Sequence, residues 1–324
     1  MARGWCQAGG QVKEAVFSSS EARIRTSGAS VHLARQAIFL PKPASWTRRA
    51  AQSLFSVLFP SDCRICGAPL LNVSRLPVCP DCLAGMHPIT GKICSLCGER
   101  VPPAYADQNA DGLLLCPVCR RIDRPFDRAV AYGSYEGGLR ELIHLLKYNG
   151  VRPAASVLGR MLAEAIADLE PTFGQGRVLV IPVPLHRAKR RERGFNQAEL
   201  IAGAALRHGA GRFELATGIL ERTRATHSQI GLTSHQRREN LRGAFAVPGA
   251  GEVTGREVLL VDDVYTTGTT VAECARVLRR AGAAQVWVAT VARTMKEPSF
   301  KVSGLQSFKV GAESAEPEKL EASA

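Results

Sequence analysis

The chain is predicted to be an α/β protein: a parallel sheet flanked by helices, with a small cysteine-rich module before it. Three observations carry that expectation. Strand-like apolar runs alternate with helical patterns from about residue 123 to 296, which implies parallel strands joined by right-handed crossovers. Four C-x-x-C pairs fall between residues 63 and 119, in turn-rich sequence without that alternation. An apolar run then delivers two adjacent acids straight into a hydroxyl-rich turn at residues 258–270, "VLLVDDVYTTGTT".

Taken in order, residues 1–45 mix Ser, Ala, Gly and Arg without sustained periodicity. They are expected to be a disordered extension, or the product of translation begun upstream of the true start. Residues 46–60, "WTRRAAQSLFSVLFP", have the spacing of a short amphipathic helix ended by Pro60. They belong with the cysteine-rich module, expected over 46–122. The sheet domain is expected over 123–296. "RAVAYGSY" reads as a strand and "GLRELIHLLKY" as a helix. "ASVLGRMLAEAIADL" reads as a helix with Val157, Leu158, Met161, Leu162, Ala165, Ile166 and Leu169 on one face. "RVLVIPVPL" is a buried strand and "NQAELIAGAALRHG" a helix closed by Gly209. "EVLLVDDVYTTGTTVAECARVLRRAGAAQVWVATV" is strand, loop, helix, strand. Residues 297–324, rich in Ser, Lys, Glu and Ala, are expected to be a disordered tail.

A length of 324 residues fits about two domains and a real core. No stretch approaches the ~20 uninterrupted apolar residues of a membrane span, and the first residues hold neither an apolar h-region nor a small-residue cleavage site. A cytoplasmic location is therefore expected. The formal charge of +13 favours anionic partners, whether nucleic acid, phosphorylated metabolites or the polyanionic cytosol at large.

Eight of the ten cysteines form the pairs Cys63 and Cys66, Cys79 and Cys82, Cys94 and Cys97, Cys116 and Cys119. Disulfides need an oxidising compartment, to which nothing in the sequence directs the chain. A redox C-x-x-C is normally single and sits at a strand-to-helix turn. Zinc is the better reading, because two residues between thiolates let a tight turn aim both sulfurs at one ion, and two such knuckles close a tetrahedral site. Glycines in "CRICG" and "CSLCG" let each knuckle turn. Two structural zincs are expected, with no open position for chemistry. Pairing of neighbouring knuckles is the simplest arrangement, and an interleaved one would use the same eight ligands. His87, beside the knuckles, is the one histidine of seven to weigh as a further ligand. Cys274, on an apolar helix face, reads as core.

In an open parallel sheet, ligands sit at the carboxyl ends of the strands, where Asp262 and Asp263 would lie after "VLLV". Thr270 and Glu273 have the T-x-x-E spacing of a capping box, which makes "YTTGTT" a helix N-terminus. Amides and threonine hydroxyls there suit a phosphate, Gly268 permits close approach, and the helix dipole favours the anion. The upstream carboxylates repel a phosphate but accept hydrogen bonds from sugar hydroxyls. A phosphate at one end and a diol at the other describes a ribose 5-phosphate. A Walker loop would need a Gly-Lys-Ser/Thr, and a dinucleotide fingerprint G-x-G-x-x-G; both are absent here. A receiver domain would carry its acidic pair near its start and has no use for a threonine cradle.

"VLLVDDVYTTGTT" closely resembles the 5-phosphoribosyl 1-diphosphate (PRPP) binding motif of type I phosphoribosyltransferases. The four knuckles, then "VIPVPLHRAKRRERGFNQAELIA", then that motif, are together similar to the ComF family of double zinc ribbon and phosphoribosyltransferase proteins, over about residues 50–294. The resemblance implies a type I phosphoribosyltransferase-like sheet. It implies that Asp262 and Asp263 bind the ribose 2- and 3-hydroxyls and that Thr266, Thr267, Gly268, Thr269 and Thr270 hold the 5-phosphate. Loop 182–197 resembles the pyrophosphate loop, so that Arg187, Arg193 and the backbone near Gly194 would engage diphosphate, helped by Mg2+ that bridges it to the sugar. Asp262, Asp263 and Arg193 would thus be the catalytic residues. "ERTRATHSQIGLTSHQRRENLRGAF" resembles the mobile loop, with Arg222, Arg224, Gln229, Arg238 and Asn240 as candidates to close over the ligand.

The implied reaction displaces diphosphate from C1 by a nitrogen nucleophile through an oxocarbenium-like state, so catalysis would rest on positioning and charge stabilisation. Tyr135, Lys147 and Tyr148 are candidates for a hood over the acceptor, or else belong to a plain helix. The basic run "AKRRERG" suits single-stranded DNA, diphosphate or simply solvent. Two functional classes follow from the resemblance. One is an Mg2+-dependent phosphoribosyltransferase acting on PRPP and an unidentified acceptor. The other is a PRPP-binding or DNA-associated accessory protein whose zinc ribbon docks a partner such as competence machinery. The family's link to DNA uptake in natural transformation suits both.

Overall fold

The computed structural model describes residues 62–70, 74–107, 109, 112–208, 211–225 and 234–295. The expected helix at 46–60 and both expected terminal extensions, together with Gln229, lie outside the described residues. The cysteine-rich segment contributes one short helix, α1 (Pro80–Ala84), whose first turn is capped by the Cys79 thiol. β1 (Arg128–Ser134) follows, then α2 (Gly137–Lys147), α3 (Ala154–Ala167), β2 (Val178–Pro182), α4 (Arg187–Arg193), α5 (Gln197–Ala205) and β3 (Phe213–Leu215). A two-stranded antiparallel ribbon of β4 (Glu221–Arg222) and β5 (Phe245–Ala246) brackets α6 (Ser234–Leu241). The chain closes with β6 (Glu257–Tyr265), α7 (Thr269–Arg280) and β7 (Gln285–Arg293).

The five long-range strands form one parallel sheet in the order β1-β7-β6-β2-β3, with β6 in the middle. Because side chains alternate across a strand, β6 sends Leu259 and Val261 to one face and Val258 and Leu260 to the other. The first face is covered by α2, α3 and α5 through Leu142, Leu146, Leu158, Leu162 and Ile201, and the second by α7 through Val271, Cys274 and Leu278. Burial on both faces explains why these strands read as continuous apolar runs.

The cysteine-rich module straddles the edge strand β1. Cys63 and Cys79 pack into the core of the α2 and α3 face, whereas Cys94, Cys97, Cys116 and Cys119 pack into the core of the α7 face. Between them the backbone completes the sheet edge: Ile89 N–H donates to the Tyr132 carbonyl at 2.7 Å and Ala129 N–H to the Leu96 carbonyl at 2.8 Å.

Several boundaries differ from expectation. The strand expected at 177–185 stops at Pro182, and the helix expected to reach Gly209 ends at Ala205. The stretch 182–197 is not all loop: "RAKRRER" forms α4, which periodicity could not reveal because it has no apolar face. Its N-cap is His186, whose Nδ1 accepts from Ala188 N–H at 3.3 Å, and Gly194 ends it in the left-handed conformation, φ 75°. The segment resembling a mobile loop contains α6 and the β4/β5 ribbon.

Candidate functional site

β6 does not stop before its acids. It runs through Asp262 and Asp263 to Tyr265, and Asp262 sits in register with Thr290 of β7. The acids are therefore held by the central strand rather than by a loop. Asp262 Oδ1 accepts from the Asp263 N–H at 2.9 Å, and Asp263 Oδ1 from the Val264 N–H at 3.0 Å. Asp263 is 4% exposed, and its Oδ2 is ion-paired with Lys147 Nζ from the last residue of α2.

Two adjacent carboxylates, Asp263 buried and Asp262 partly exposed, need nearby cations. Loss of water around its carboxyl pushes Asp262 up to about 6, against the pull of Lys147 and then Arg222. Burial likewise lowers the Lys147 ammonium to about 8; Asp262 opposes that shift, and Arg193 and Lys189 add to it. Lys147 thus pairs with Asp263, Arg222 adds positive charge near Asp262, and Arg193 and Lys189 add positive charge near Lys147. This surplus of positive charge suits a polyanion. Arg193 lies over the exposed ring of Tyr148, 5.6 Å from its centroid, and Nη1 donates to Gln197 Oε1 at 2.5 Å. Tyr135 is occupied with His144, at 2.9 Å.

Beyond the acids the chain turns through Gly268, φ 74°, into α7. A Cβ there would also collide with the phenol of Tyr265, so any other residue would strain the backbone and force Tyr265 or the turn to move. Thr267 and Thr269 hydroxyls are 2.7 Å apart. The helical ladder begins with Ala272 N–H to the Gly268 carbonyl, and the amides before it point out of the helix end. The expected capping box is not what starts this helix. The N-cap is Gly268, and Glu273 is turned elsewhere: Oε1 accepts from Gly243 N–H at 3.1 Å and Oε2 pairs with Arg276. Glu273 thereby ties α7 to the turn between α6 and β5.

The remaining candidates divide. Arg222, whose charge lowers the Asp262 pKa, lines a cavity of about 160 Å3 together with Arg187, Arg190, Pro182 and Asn196. Arg187 borders that cavity, whose lining excludes the acid pair. Arg224 is folded back on its own segment, with Nη2 donating to the carbonyls of Asn240 and Arg242, each at 3.0 Å. The side chain of Arg238 lies outside what the structure describes.

The eight knuckle cysteines form two quartets, Cys63, Cys66, Cys79 and Cys82, and Cys94, Cys97, Cys116 and Cys119, so neighbouring knuckles pair. Sulfur separations are 3.9 Å for Cys63–Cys82, 3.7 Å for Cys66–Cys79 and 3.7 Å for Cys97–Cys116. Zinc–sulfur bonds of about 2.3 Å in a tetrahedron place sulfurs about 3.8 Å apart, so both quartets fit that ion. Gly67 and Gly98, φ 74° and 71°, make the knuckle turns. His87 is exposed and in neither quartet, and Cys274 is wholly buried in the core.

Three further residues matter that sequence reasoning passed over or left undecided. Lys147, considered only as part of a hood, is the partner of the acid pair; its signal was a lysine four residues after Ile143 on an apolar helical stripe. Arg293 donates from Nη1 to the Cys97 carbonyl and from Nη2 to Glu99 at 2.8 Å. Tyr265 lies under Arg293 and against Gly268, and its hydroxyl has no hydrogen-bond partner among the described residues.

Comparison with known proteins agrees with this architecture. A double zinc ribbon domain matches residues 54–120, which contain all eight knuckle cysteines, and a phosphoribosyl transferase domain matches residues 198–314. DNA utilization protein YhgH of Escherichia coli O6:H1 is 34% identical over 238 residues, 73% of this chain and 98% of that protein. Competence protein F of Haemophilus influenzae is 30% identical over 223 residues, 66% of this chain and 96% of that one. The chain belongs to the ComF family. Competence protein ComFC of Bacillus subtilis, at 25% identity, aligns with 64% of this ComF chain and 80% of its own length. A solved glutamine PRPP amidotransferase from B. subtilis aligns with 43% of this chain and 26% of its own at 27% identity and a TM-score of 0.27, a likeness that carries no argument. None of the described helices of this ComF protein is long and apolar enough to cross a membrane.

Proposed function

We propose that this ComF protein binds PRPP in the cytoplasm and transfers its phosphoribosyl group to a nitrogen acceptor, releasing diphosphate. The observation that carries the reading is the order of groups along one unit: paired acids near the end of the central strand, then a threonine-lined helix N-terminus entered through Gly268. Asp262 and Asp263 accept from the ribose 2- and 3-hydroxyls. Thr266, Thr267, Gly268, Thr269 and Thr270 surround the 5-phosphate. Arg193, with the backbone at Gly194, takes the diphosphate, and Arg187 takes part after a movement of α4. Arg222, Arg224, Gln229, Arg238 and Asn240 close over the ligand.

In the reaction the nucleophile's lone pair forms the new bond to C1 while the C1–O bond breaks and its electrons leave with diphosphate. Positive charge on the ring faces the acids, and negative charge on the leaving group faces Arg193 and Lys189. Mg2+, when bound, neutralises the diphosphate and keeps several waters. The acid pair, already joined to Lys147, does not offer a protein-built cage for it. Two structural zincs hold the module, and their closed thiolate shells leave no position for chemistry.

A second reading has support in the names of the relatives, which refer to DNA utilization and competence rather than to a reaction. There the sheet domain senses PRPP and the exposed basic helix α4 meets a nucleic acid or partner. Diphosphate release from PRPP, assayed with bases, amines and single-stranded DNA as acceptors, separates the two. Turnover with any acceptor supports transfer; tight PRPP binding without turnover overturns it in favour of the accessory role.

A further inference from the structure

We propose that Lys147 is the resident cation of the diol end of this site, doing for Asp262 and Asp263 what a bound divalent metal would otherwise do. The inference rests on the reading that the acids take a sugar diol, and it deepens that reading.

Carboxylate oxygens crowded together are hard ligands that attract divalent cations. Here the attraction is met from within the chain. Lys147 is the last residue of α2, four residues beyond the fully buried Ile143, so the helix core fixes where its stem emerges. Its side chain is 15% exposed and contacts an Asp263 side chain that is 5% exposed. An ammonium is a compact charge with three donors on a flexible stem. It can hold Asp263 while leaving the less buried Asp262 open to a ligand.

The other groups facing the pair work the same way. Arg222 from β4 approaches Asp262, while Lys189 and Arg193 from α4 approach Lys147. The Cys274 thiol from α7, wholly buried, is pushed up by that burial and also feels the Asp262 charge, which raises its pKa further. A free divalent cation entering this place would meet Lys147 on Asp263 and the positive charge of Arg222, Lys189 and Arg193 nearby. It gains entry only with an anionic ligand that brings negative charge of its own. Lys147 is a positioning residue in this scheme: it sets the geometry and charge of the carboxylates and forms no bond in the reaction.

The test uses the purified full-length chain and Mn2+, followed by the loss of its free-ion electron paramagnetic resonance signal. Wild type is expected to bind no more Mn2+ than Asp262→Asn/Asp263→Asn does. Lys147→Met is expected to bind about one further equivalent, lost again when the acids are also replaced. The same gain in Lys147→Gln guards against a defect peculiar to the methionine variant. Ribose 5-phosphate, which has no diphosphate, supplies a second readout by calorimetry. Wild type is expected to bind it equally with and without Mn2+. Lys147→Met should bind it about tenfold more weakly, with affinity restored by Mn2+.

Wild-type Mn2+ binding that disappears with the acids would overturn the proposal, as would a failure of both Lys147 variants to gain Mn2+. Should ribose 5-phosphate bind none of these proteins while the Mn2+ result holds, the sugar reading fails and the role of Lys147 as internal cation stands. Should it bind wild type only with Mn2+, the sugar reading stands and that role falls.

Discussion

Arg293 grips the Cys97 carbonyl and Glu99 with the two arms of its guanidinium while its Cζ lies 4.7 Å from the ring centroid of Tyr265. Tyr265 in turn leaves no room for a side chain at Gly268. The second cysteine quartet is thus joined to the proposed phosphate cradle through two side chains, and the first quartet has no such link among the described residues. Cys116→Ser is therefore expected to lower zinc content and also to weaken PRPP binding by about tenfold. Cys63→Ser should lower zinc content and loosen the module but leave PRPP affinity within about twofold of wild type. Zinc stoichiometry and calorimetry on anaerobically purified protein check both, and equal losses of affinity would refute the link.

The cradle itself is tested at its tightest point. Gly268→Ala puts a Cβ where φ is 74° and where the Tyr265 phenol already sits. The strained backbone alone costs about 1–2 kcal/mol, and relief of the collision must move Tyr265 or the turn. The expected result is a lower melting temperature with loss of ribose 5-phosphate binding. A folded variant with wild-type affinity would contradict the assignment of Thr266–Thr270 to a phosphate.

Asp262→Asn/Asp263→Asn removes the charges proposed to face the sugar and should reduce PRPP affinity by about a hundredfold or more while the sheet remains folded. Asp263→Asn alone leaves Lys147 buried without its ion-pair partner, and breaking a buried pair from one side costs about 3–5 kcal/mol. Denaturant melts should find the single variant less stable than Asp263→Asn/Lys147→Met. The opposite ranking would show that the pair is not the buried contact that the geometry describes.

Binding of ribose 5-phosphate should depend on pH through two groups. In the proposed site Asp262 would accept sugar hydroxyls as a carboxylate, so affinity should fall as pH drops through about 6; Lys147 would supply its charge when protonated, so affinity should fall again as pH rises through about 8. The ligand's own phosphate also titrates near pH 6, and the profile of Asp262→Asn separates the two. Stability follows with its own signs. Between the ordinary 3.8 and about 6 the folded state binds more protons at Asp262, so this group's contribution falls as pH rises. Between about 8 and the ordinary 10.5 the unfolded state binds more at Lys147, so that contribution rises with pH. A flat calorimetric profile from pH 5 to 9 would remove both residues from the site.

What was legible in the sequence follows from the kind of signal each element carries. The two-faced burial of β6 and β7, the stripes of α2 and α3, and the eight cysteines all leave local patterns, and those elements are where periodicity and spacing put them. α4 and α6 carry almost no apolar residues, and β3, β4 and β5 are two or three residues long, so no period could be read from them. The capping box failed because Glu273 is drawn away to Gly243 and Arg276, partners distant or lateral to the helix start. At the candidate site the acids and threonines announce themselves as neighbours in one loop-like string. Lys147, more than a hundred residues earlier, joins them only because parallel strand order sets the end of α2 beside the end of β6. No scan along the chain could pair them.

The module's grip on β1 has a consequence for the life of the chain in a cell. Strand edges offer open amides and carbonyls to any passing strand, and here the outer side of β1 is occupied by the backbone at Ile89 and Leu96, on the stretches beside the two quartets. A newly made chain starved of zinc would keep that border bare and offer it to its neighbours. Metal supply then governs solubility before it governs any chemistry, and growth in chelator should send the protein into the aggregated fraction.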